Sequence, residues 1–370
     1  MSADLLYGQV EEDLRAAVRS LLRDRCDPSA VLARCESDEP YDRQLWRTLA
    51  GEVGVAVLAV PEESGGAGAG ARELAVVAEE IGAAVAPVPF LSAVLATTVL
   101  AELGGQAELI GRIGEGAEVA TVALPLTTPP DSALSPGIRA DGEELTGSVR
   151  AVVDLEVADL VLVPVTTERG TALHLVEATS PGVERRPVTS LDLTRRIGVL
   201  ELSGAPSRKL ADDAEPALRQ AIRTAAGVLA SEQVGLAQHC LDSTVDYAKT
   251  RYQFGRQIGS FQAVKHRLAD LWSGVSTARA TARNAADCLA RGEEAVLAVA
   301  LAQAYCSDTA VLAAEEALQL HGGIGMTWEH PVHLHLARAK TSQLAFGTAD
   351  RHRARIAELV DLPPADGGHR

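Results

Sequence analysis

From Pro216 to Thr250 the sequence keeps a helical hydrophobic period with no internal proline and no adjacent pair of glycines, so it reads as one long helix. Pro216 suits its first turn, where the missing N–H would have no partner in any case. Ser260 is placed to cap a second helix running to about Arg291, a third spans about Glu293 to Leu320, and Gly322-Gly323 supplies its stop. Shorter helices are expected near Val332 to Leu344 and Ala349 to Leu359, and Pro363 to Arg370 reads as a loose tail. Long helices need neighbours that approach closely, and the composition agrees. Hydrophobic residues make up 47% of the chain but aromatics only 3%, so Ala, Val and Leu must fill the interior.

Upstream, from Glu11 to about Leu103, apolar residues again recur at helical spacing, as in Leu14, Val18, Leu21 and Leu22 and later in Leu74, Val77, Ala78 and Ile81. The glycine-rich segment from Val60 to Gly68 interrupts them as a connector or a ligand-contacting loop. Between about Glu118 and Ser203, β-favouring runs take over: Val119 to Leu126, Glu144 to Val149, Leu160 to Val165, Ala172 to Val176 and Val199 to Leu202. Turn signals at Asp141-Gly142 and Ser180-Pro181-Gly182 separate them, and their polar alternation is imperfect. The expected fold is α+β and mostly α: an N-terminal helical domain over 1–116, a small β-barrel or sandwich domain over 117–208, a C-terminal four-helix bundle over 209–362 and a tail over 363–370. This order is unlike the alternating pattern of a doubly wound α/β protein.

The net charge of −16 opposes binding to nucleic acid or to anionic membranes through a general field. Cys26, Cys35, Cys240, Cys288 and Cys306 are scattered and odd in number, which suits a reduced compartment better than a zinc or redox site. Met1 to Val10 lacks the basic and apolar stretches of a secretory signal, and no run offers about 18 uninterrupted apolar residues for a membrane span, so a cytoplasmic location is expected.

Two strings carry more specific information. The first is Tyr247-Ala-Lys-Thr-Arg251-Tyr-Gln253-Phe254-Gly255-Arg256-Gln-Ile258-Gly-Ser-Phe261-Gln262-Ala-Val-Lys-His266-Arg-Leu-Ala-Asp270, and the second is Gln319-Leu-His321-Gly322-Gly323-Ile-Gly325-Met-Thr-Trp328-Glu329-His330-Pro331. Both resemble signatures of the acyl-CoA dehydrogenase family. Gly54 to Gly68, Glu79-Glu80-Ile81-Gly82 and the helix, strand, helix order fit it too, so the resemblance spans nearly the whole chain and is weakest in the β region.

The resemblance implies a reaction in which an acyl-CoA thioester loses an α-proton to a carboxylate while its β-hydrogen leaves as hydride to FAD. The thioester carbonyl must be polarised for so weak a carbon acid to yield, in the family by the flavin's ribityl chain and a backbone N–H. Electrons then pass to an electron-transferring flavoprotein. Carried over residue by residue, the FAD contacts would be Arg251, Gln253, Phe254, Ile258, Phe261 and Gln262 from the first string and Gln319, Gly322 and Gly323 from the second. In the family this set reaches the FAD of a neighbouring subunit. The plainer alternative makes Phe254 and Phe261 core anchors and Arg251 a solvated cation.

The pattern fails where the chemistry should be. The family's base sits in an aromatic-Glu-Gly-Thr string, and the matching string is Ala345-Phe346-Gly347-Thr348; an alternative position for the glutamate corresponds to Ala225. Glu232, about 10 Å further along the same helix face, is a weak substitute and reads rather as a buried acid paired with a bundle arginine. His321, Glu329 and His330 fit interface or surface roles, and the spacing of His333 and His335 puts them on different helix faces, against a metal pair. The Asp and Arg that hold acyl-CoA are replaced by Arg223 and Ala226, and the flavin-shielding loop by Leu124-Pro125-Leu126-Thr127-Thr128-Pro129-Pro130-Asp131-Ser132, whose prolines are stiff.

Groups facing the chain's own flavin and substrate are missing, while those offered to a neighbour's FAD remain. The chain therefore resembles the smaller subunits of mixed bacterial tetramers that degrade sterol side chains, with a homologous partner supplying the base. The alternatives are a homo-oligomeric enzyme with a relocated base such as Glu232, and a flavin-free scaffold or binding protein.

Overall fold

In the computed structural model, which describes residues 5–134, 137–168 and 170–362, the long run folds as a single helix of 36 residues, about 54 Å from end to end at 1.5 Å per residue. The expected tail lies outside the described residues. Six helices come first: α1 (Gln9–Arg25), α2 (Pro28–Cys35), α3 (Arg43–Arg47), α4 (Ala71–Ala84), α5 (Phe90–Leu103) and α6 (Ala107–Gly114). The long helix is α7 (Glu215–Thr250), followed by α8 (Gln262–Arg291), α9 (Ala295–His321), α10 (Val332–Leu344) and α11 (Ala349–Leu359). Between α6 and α7 run β1 (Ala120–Val122), β2 (Ile138–Asp141), β3 (Glu144–Val153), β4 (Leu160–Thr167), β5 (Gly170–Glu177), β6 (Val183–Pro187), β7 (Ile197–Pro206) and β8 (Arg208–Ala211). A two-residue pair, β9 (Tyr252–Gln253) and β10 (Arg256–Gln257), follows α7.

Helix α7 is the axis of the molecule. Every residue from Thr224 to Ala237 is buried, so the helix is apolar all round, as a core helix must be. Helix α4 crosses it backbone to backbone at two glycines. A Cβ on Gly235 would stand 1.8 Å from the Glu79 carbonyl oxygen, and one on Gly82 would stand 2.0 Å from that of Glu232. Helix α9 is long and apolar enough to cross a membrane by length and composition, with a mean hydropathy of 1.5 over its most apolar stretch, yet 61% of that stretch is buried inside the protein. Its apolar surface is used against α7, α8, α10 and α11.

The strands form two four-stranded sheets among the described residues, in the orders β1-β4-β5-β8 and β2-β3-β7-β6, with β1 and β4 parallel and the other pairs antiparallel. Strand β4 shows why alternation is weak in the sequence. Val161, Val163 and Val165 pack between the sheets, while Leu160 and Leu162 join the helical core, so both faces are apolar.

Two expectations need correction. Ser260 does not cap α8: it sits in a 3-10 turn, its hydroxyl donates to the Gln257 carbonyl at 2.7 Å, and Phe261 takes the N-cap position. Strands β2, β6, β8, β9 and β10 are absent from the sequence reading. Gly54 to Gly68 closes on itself, with Gly66 N–H donating to Pro61 O at 3.1 Å and Gly68 N–H to Val60 O at 2.9 Å, as a connector does.

Candidate functional site

The end of α7 builds a small platform. Past Thr250 the chain turns at Phe254-Gly255, both left-handed at φ 53° and 75°, between β9 and β10; two positive φ values are what a type I′ hairpin requires. Ile258 N–H closes the hairpin onto Arg251 O at 2.9 Å. A phenylalanine in this conformation costs about 1–2 kcal/mol, and Phe254 is nonetheless 91% exposed, which excludes a role as core anchor. Its ring meets Phe261 edge-on at 6.2 Å, and the Arg256 guanidinium lies 3.9 Å above the Phe261 ring.

The second string arrives at the same place. His321, the last residue of α9, stacks on Tyr247 of α7 with ring centroids 4.5 Å apart and meets the His330 ring at a tilt with centroids 4.4 Å apart. The stack on Tyr247 ties the end of α9 to α7 one turn before the Arg251 hairpin. Gly322 has φ 62°, and a Cβ at Gly322 or Gly323 would meet nothing within 4 Å, so open space adjoins both backbones. Among the described residues, the side chains of Arg251, Gln253, Gln262 and Gln319 make no hydrogen bond or ion pair, and all four are exposed. Ile258 and Phe261 are half-buried and brace them. A fork of guanidinium donors, free amides and bare glycine backbone is a donor set suited to the phosphates and ring edges of a dinucleotide presented from outside the chain, so the residues present fit one side of an FAD.

The chain's own cleft is closed. Phe346 is 2% exposed with φ 55° and belongs to the main core, as does Ala225 at 0%. The 124–132 loop lies on it: Phe346 N–H donates to Leu126 O at 2.8 Å, and Leu126 N–H donates to Ala151 O at 2.9 Å. A Cβ on Gly347 would come 3.4 Å from the Pro129 ring. The carbonyl of Phe346 accepts from His352 Nε2–H at 3.1 Å; burial lowers the pKa of His352, keeping the imidazole neutral. These residues do not fit a flavin and a thioester of the chain's own.

Glu232 is 2% exposed and carries ion pairs to Arg195, its closest partner, and to Arg338 at 3.8 Å. Arg338 also faces Asp192 at 3.5 Å and donates to Ala86 O at 3.0 Å. Nearby, Tyr41 Oη–H donates to Asp154 at 2.9 Å, and burial raises the Asp154 pKa. The cluster ties α7 and α10 to the segment before β7. The sequence reading expected a bundle arginine and missed Arg195; the charged run Asp192-Leu-Thr-Arg195-Arg196 between two strands was the available signal. His335 is buried and stacked on His239 at 4.3 Å, while His333 stacks on Trp328 at 4.1 Å. All five cysteines are buried and free, and burial pushes the Cys26, Cys240 and Cys306 thiols up to about 12.

Comparison with known proteins agrees with this layout. Residues 217–360 match the acyl-CoA dehydrogenase C-terminal domain and residues 9–108 the N-terminal domain. The chain belongs to the acyl-CoA dehydrogenase family, a family of FAD-binding oxidoreductases. It is 37% identical to acyl-CoA dehydrogenase IpdE2 of Mycolicibacterium smegmatis over 95% of this chain and 99% of that one. The crystal structure of the ChsE4-ChsE5 complex from Mycobacterium tuberculosis aligns with a TM-score of 0.85 at 32% identity, covering 98% of this chain and 100% of that one. A variant of the Tcur3481-Tcur3483 steroid ACAD aligns with a TM-score of 0.85 at 30% identity, covering 96% and 98%.

Proposed function

We propose that this chain is the half-site subunit of a mixed acyl-CoA dehydrogenase: it lacks a base, completes the FAD pocket of a homologous partner, and works in a heterotetramer. The observation that carries this reading is an asymmetry within one molecule. At one end of α7, unpartnered polar side chains and bare glycines face outward, while the Phe346 string where a base would stand is sealed by the chain's own loop.

FAD, when bound, supplies the hydride acceptor. In this reading Arg251 holds its phosphates, Gln253, Gln262 and Gln319 donate to its polar edges, Phe254 covers it, and Gly322 and Gly323 let backbone approach. The partner's carboxylate takes the α-proton of the acyl-CoA, and an electron-transferring flavoprotein receives the electrons. The complexes named ChsE4-ChsE5 and Tcur3481-Tcur3483 support a two-chain assembly, and the second supports an acyl group of steroid type.

Co-expression with a glutamate-bearing homologue tests the reading. The expected product is a mixed assembly holding about one FAD per pair of chains, and Arg251→Ala in this chain should strip flavin from it. Full turnover by this chain alone, with Glu232→Gln abolishing it, would favour a homo-oligomer with a relocated base. A colourless chain that assembles with no homologue and takes up no FAD would favour a scaffold.

A further inference from the structure

Between the last turns of α1, the end of α4, the middle of α7 and the start of α10 lies a cavity of about 280 Å3. His239, on its wall, stands about 20 Å along α7 from Arg251 in one direction and from Ala225 in the other, at 1.5 Å per residue, so the cavity belongs neither to the flavin-facing platform nor to the closed cleft. Leu22, Ala84, Val85 and Leu334 make most of its surface apolar. About 150 Å3 of apolar space holds a benzene ring, so this cavity has room for two fused rings.

The charged groups of the lining are already satisfied. Glu80 accepts from Arg15 at 3.2 Å and from two Arg19 nitrogens at 2.9 and 2.7 Å, and Arg23 is exposed to solvent. Burial pushes the Cys26 thiol up to about 12, so it stays protonated. His335 Nε2–H donates to Ala83 O at 3.1 Å, and its Nδ1 faces Pro331 O at 3.3 Å. His239 is the exception. Its ring lies flat on that of His335, with centroids 4.3 Å apart and planes 4° apart, yet neither of its nitrogens makes a hydrogen bond among the described residues. It is half-buried, and burial lowers its pKa, keeping the ring neutral. A neutral imidazole offers one N–H and one bare nitrogen, and leaving both unpaired away from water costs free energy.

We propose that this cavity binds a small uncharged molecule of one or two rings bearing a single hydroxyl, with the rings against Leu22, Val85 and Leu334 and the hydroxyl on His239. An apolar pocket with one polar group that fixes orientation is the usual anatomy of a small-molecule site. A hydroxyl both donates and accepts, so it pairs with whichever His239 nitrogen faces it. An anion finds Arg15 and Arg19 committed to Glu80, and a cation finds no free carboxylate in the lining, so a charged ligand would give up its water without compensation. The proposal does not rest on the half-site reading, because the cavity is formed within this chain alone.

Fluorescence titration of 2-naphthol with the full-length chain tests it, with naphthalene and 2-naphthoate as comparison probes. Saturable 2-naphthol binding is expected, roughly tenfold tighter than that of either comparison probe, as one buried hydrogen bond would give. His239→Phe keeps the stacked ring and removes its nitrogens, so 2-naphthol should fall to the affinity of naphthalene while naphthalene itself is unchanged. Ala84→Trp, at a half-buried position, fills the cavity and is expected to abolish binding of both; it decides the matter should His239→Phe fail to fold. No saturable 2-naphthol binding by the unaltered chain, or naphthalene or 2-naphthoate binding as tightly, overturns the proposal. Undiminished 2-naphthol binding by either folded variant overturns it equally.

Discussion

Phe346 stands in the string that matches the family's base-bearing string, and it is a core residue. Its side chain fills the core and its amide is engaged by Leu126. Phe346→Glu is therefore expected to cost at least about 3 kcal/mol in denaturant unfolding, with no dehydrogenation of acyl-CoA by the isolated chain. Glu232→Gln leaves Arg195 and Arg338 short of a counter-charge, so a loss of about 3–5 kcal/mol is expected, while the folded variant, assembled with a base-bearing partner, keeps its turnover. His335 adds a pH dependence. Burial first, then the adjacent His239, lower its pKa from 6.5 to about 3. The unfolded chain then binds the proton more readily than the folded one, so stability is complete above pH 6.5 and falls by roughly 1.4 kcal/mol per unit as pH drops toward 3. Urea unfolding at pH 7 and pH 5 should show this, and His335→Phe should flatten the slope. In the sequence, Phe346 and Ala225 were read against the family's two positions for the base, and Glu232 as the nearest acid on the same helix face. The sequence did not reveal Arg195 or Tyr41, whose partners lie 37 and 113 residues away.

Among elements, the crossing of α4 and α7 is the least tolerant. Gly235→Ala drives a methyl into the Glu79 carbonyl and is expected to lower stability by about 1–3 kcal/mol or more, visible as a reduced unfolding midpoint. The Arg251 hairpin predicts the opposite trade. Phe254→Gly relieves left-handed strain and should stabilise the chain by up to about 1 kcal/mol, while a mixed assembly carrying it should lose flavin faster on dilution. Helices were legible because their period is long and their caps are local. The α10 and α11 bounds, Val332–Leu344 and Ala349–Leu359, coincide with those expected from the sequence. Strands β2, β6 and β8 were not legible, for a physical reason. All three are sheet edges and carry residues such as Arg139, Asp141, Glu184, Arg185, Arg208 and Lys209. Charge on an edge strand deters pairing with other chains and hides the strand from a hydrophobicity pattern.

At the scale of the whole molecule, α7 holds two unlike ends apart: a platform of unpartnered donors at one, a closed cleft at the other. The fold was legible in the order of helices and strands, and the family in two contiguous strings. The sealing of the cleft was not, because it depends on a loop between strands meeting a turn more than 200 residues later. That seal carries a consequence for the chain's history. With the Phe346 amide committed to Leu126, no guest carbonyl finds a donor there, and an acid restored at position 346 has nothing to act upon. A return to independence would require the 124–132 segment to be cut back first and the acid regained second, and neither change rewards the chain without the other. Under the half-site proposal, dependence on a partner would in that sense be a ratchet, fixed by one peptide hydrogen bond.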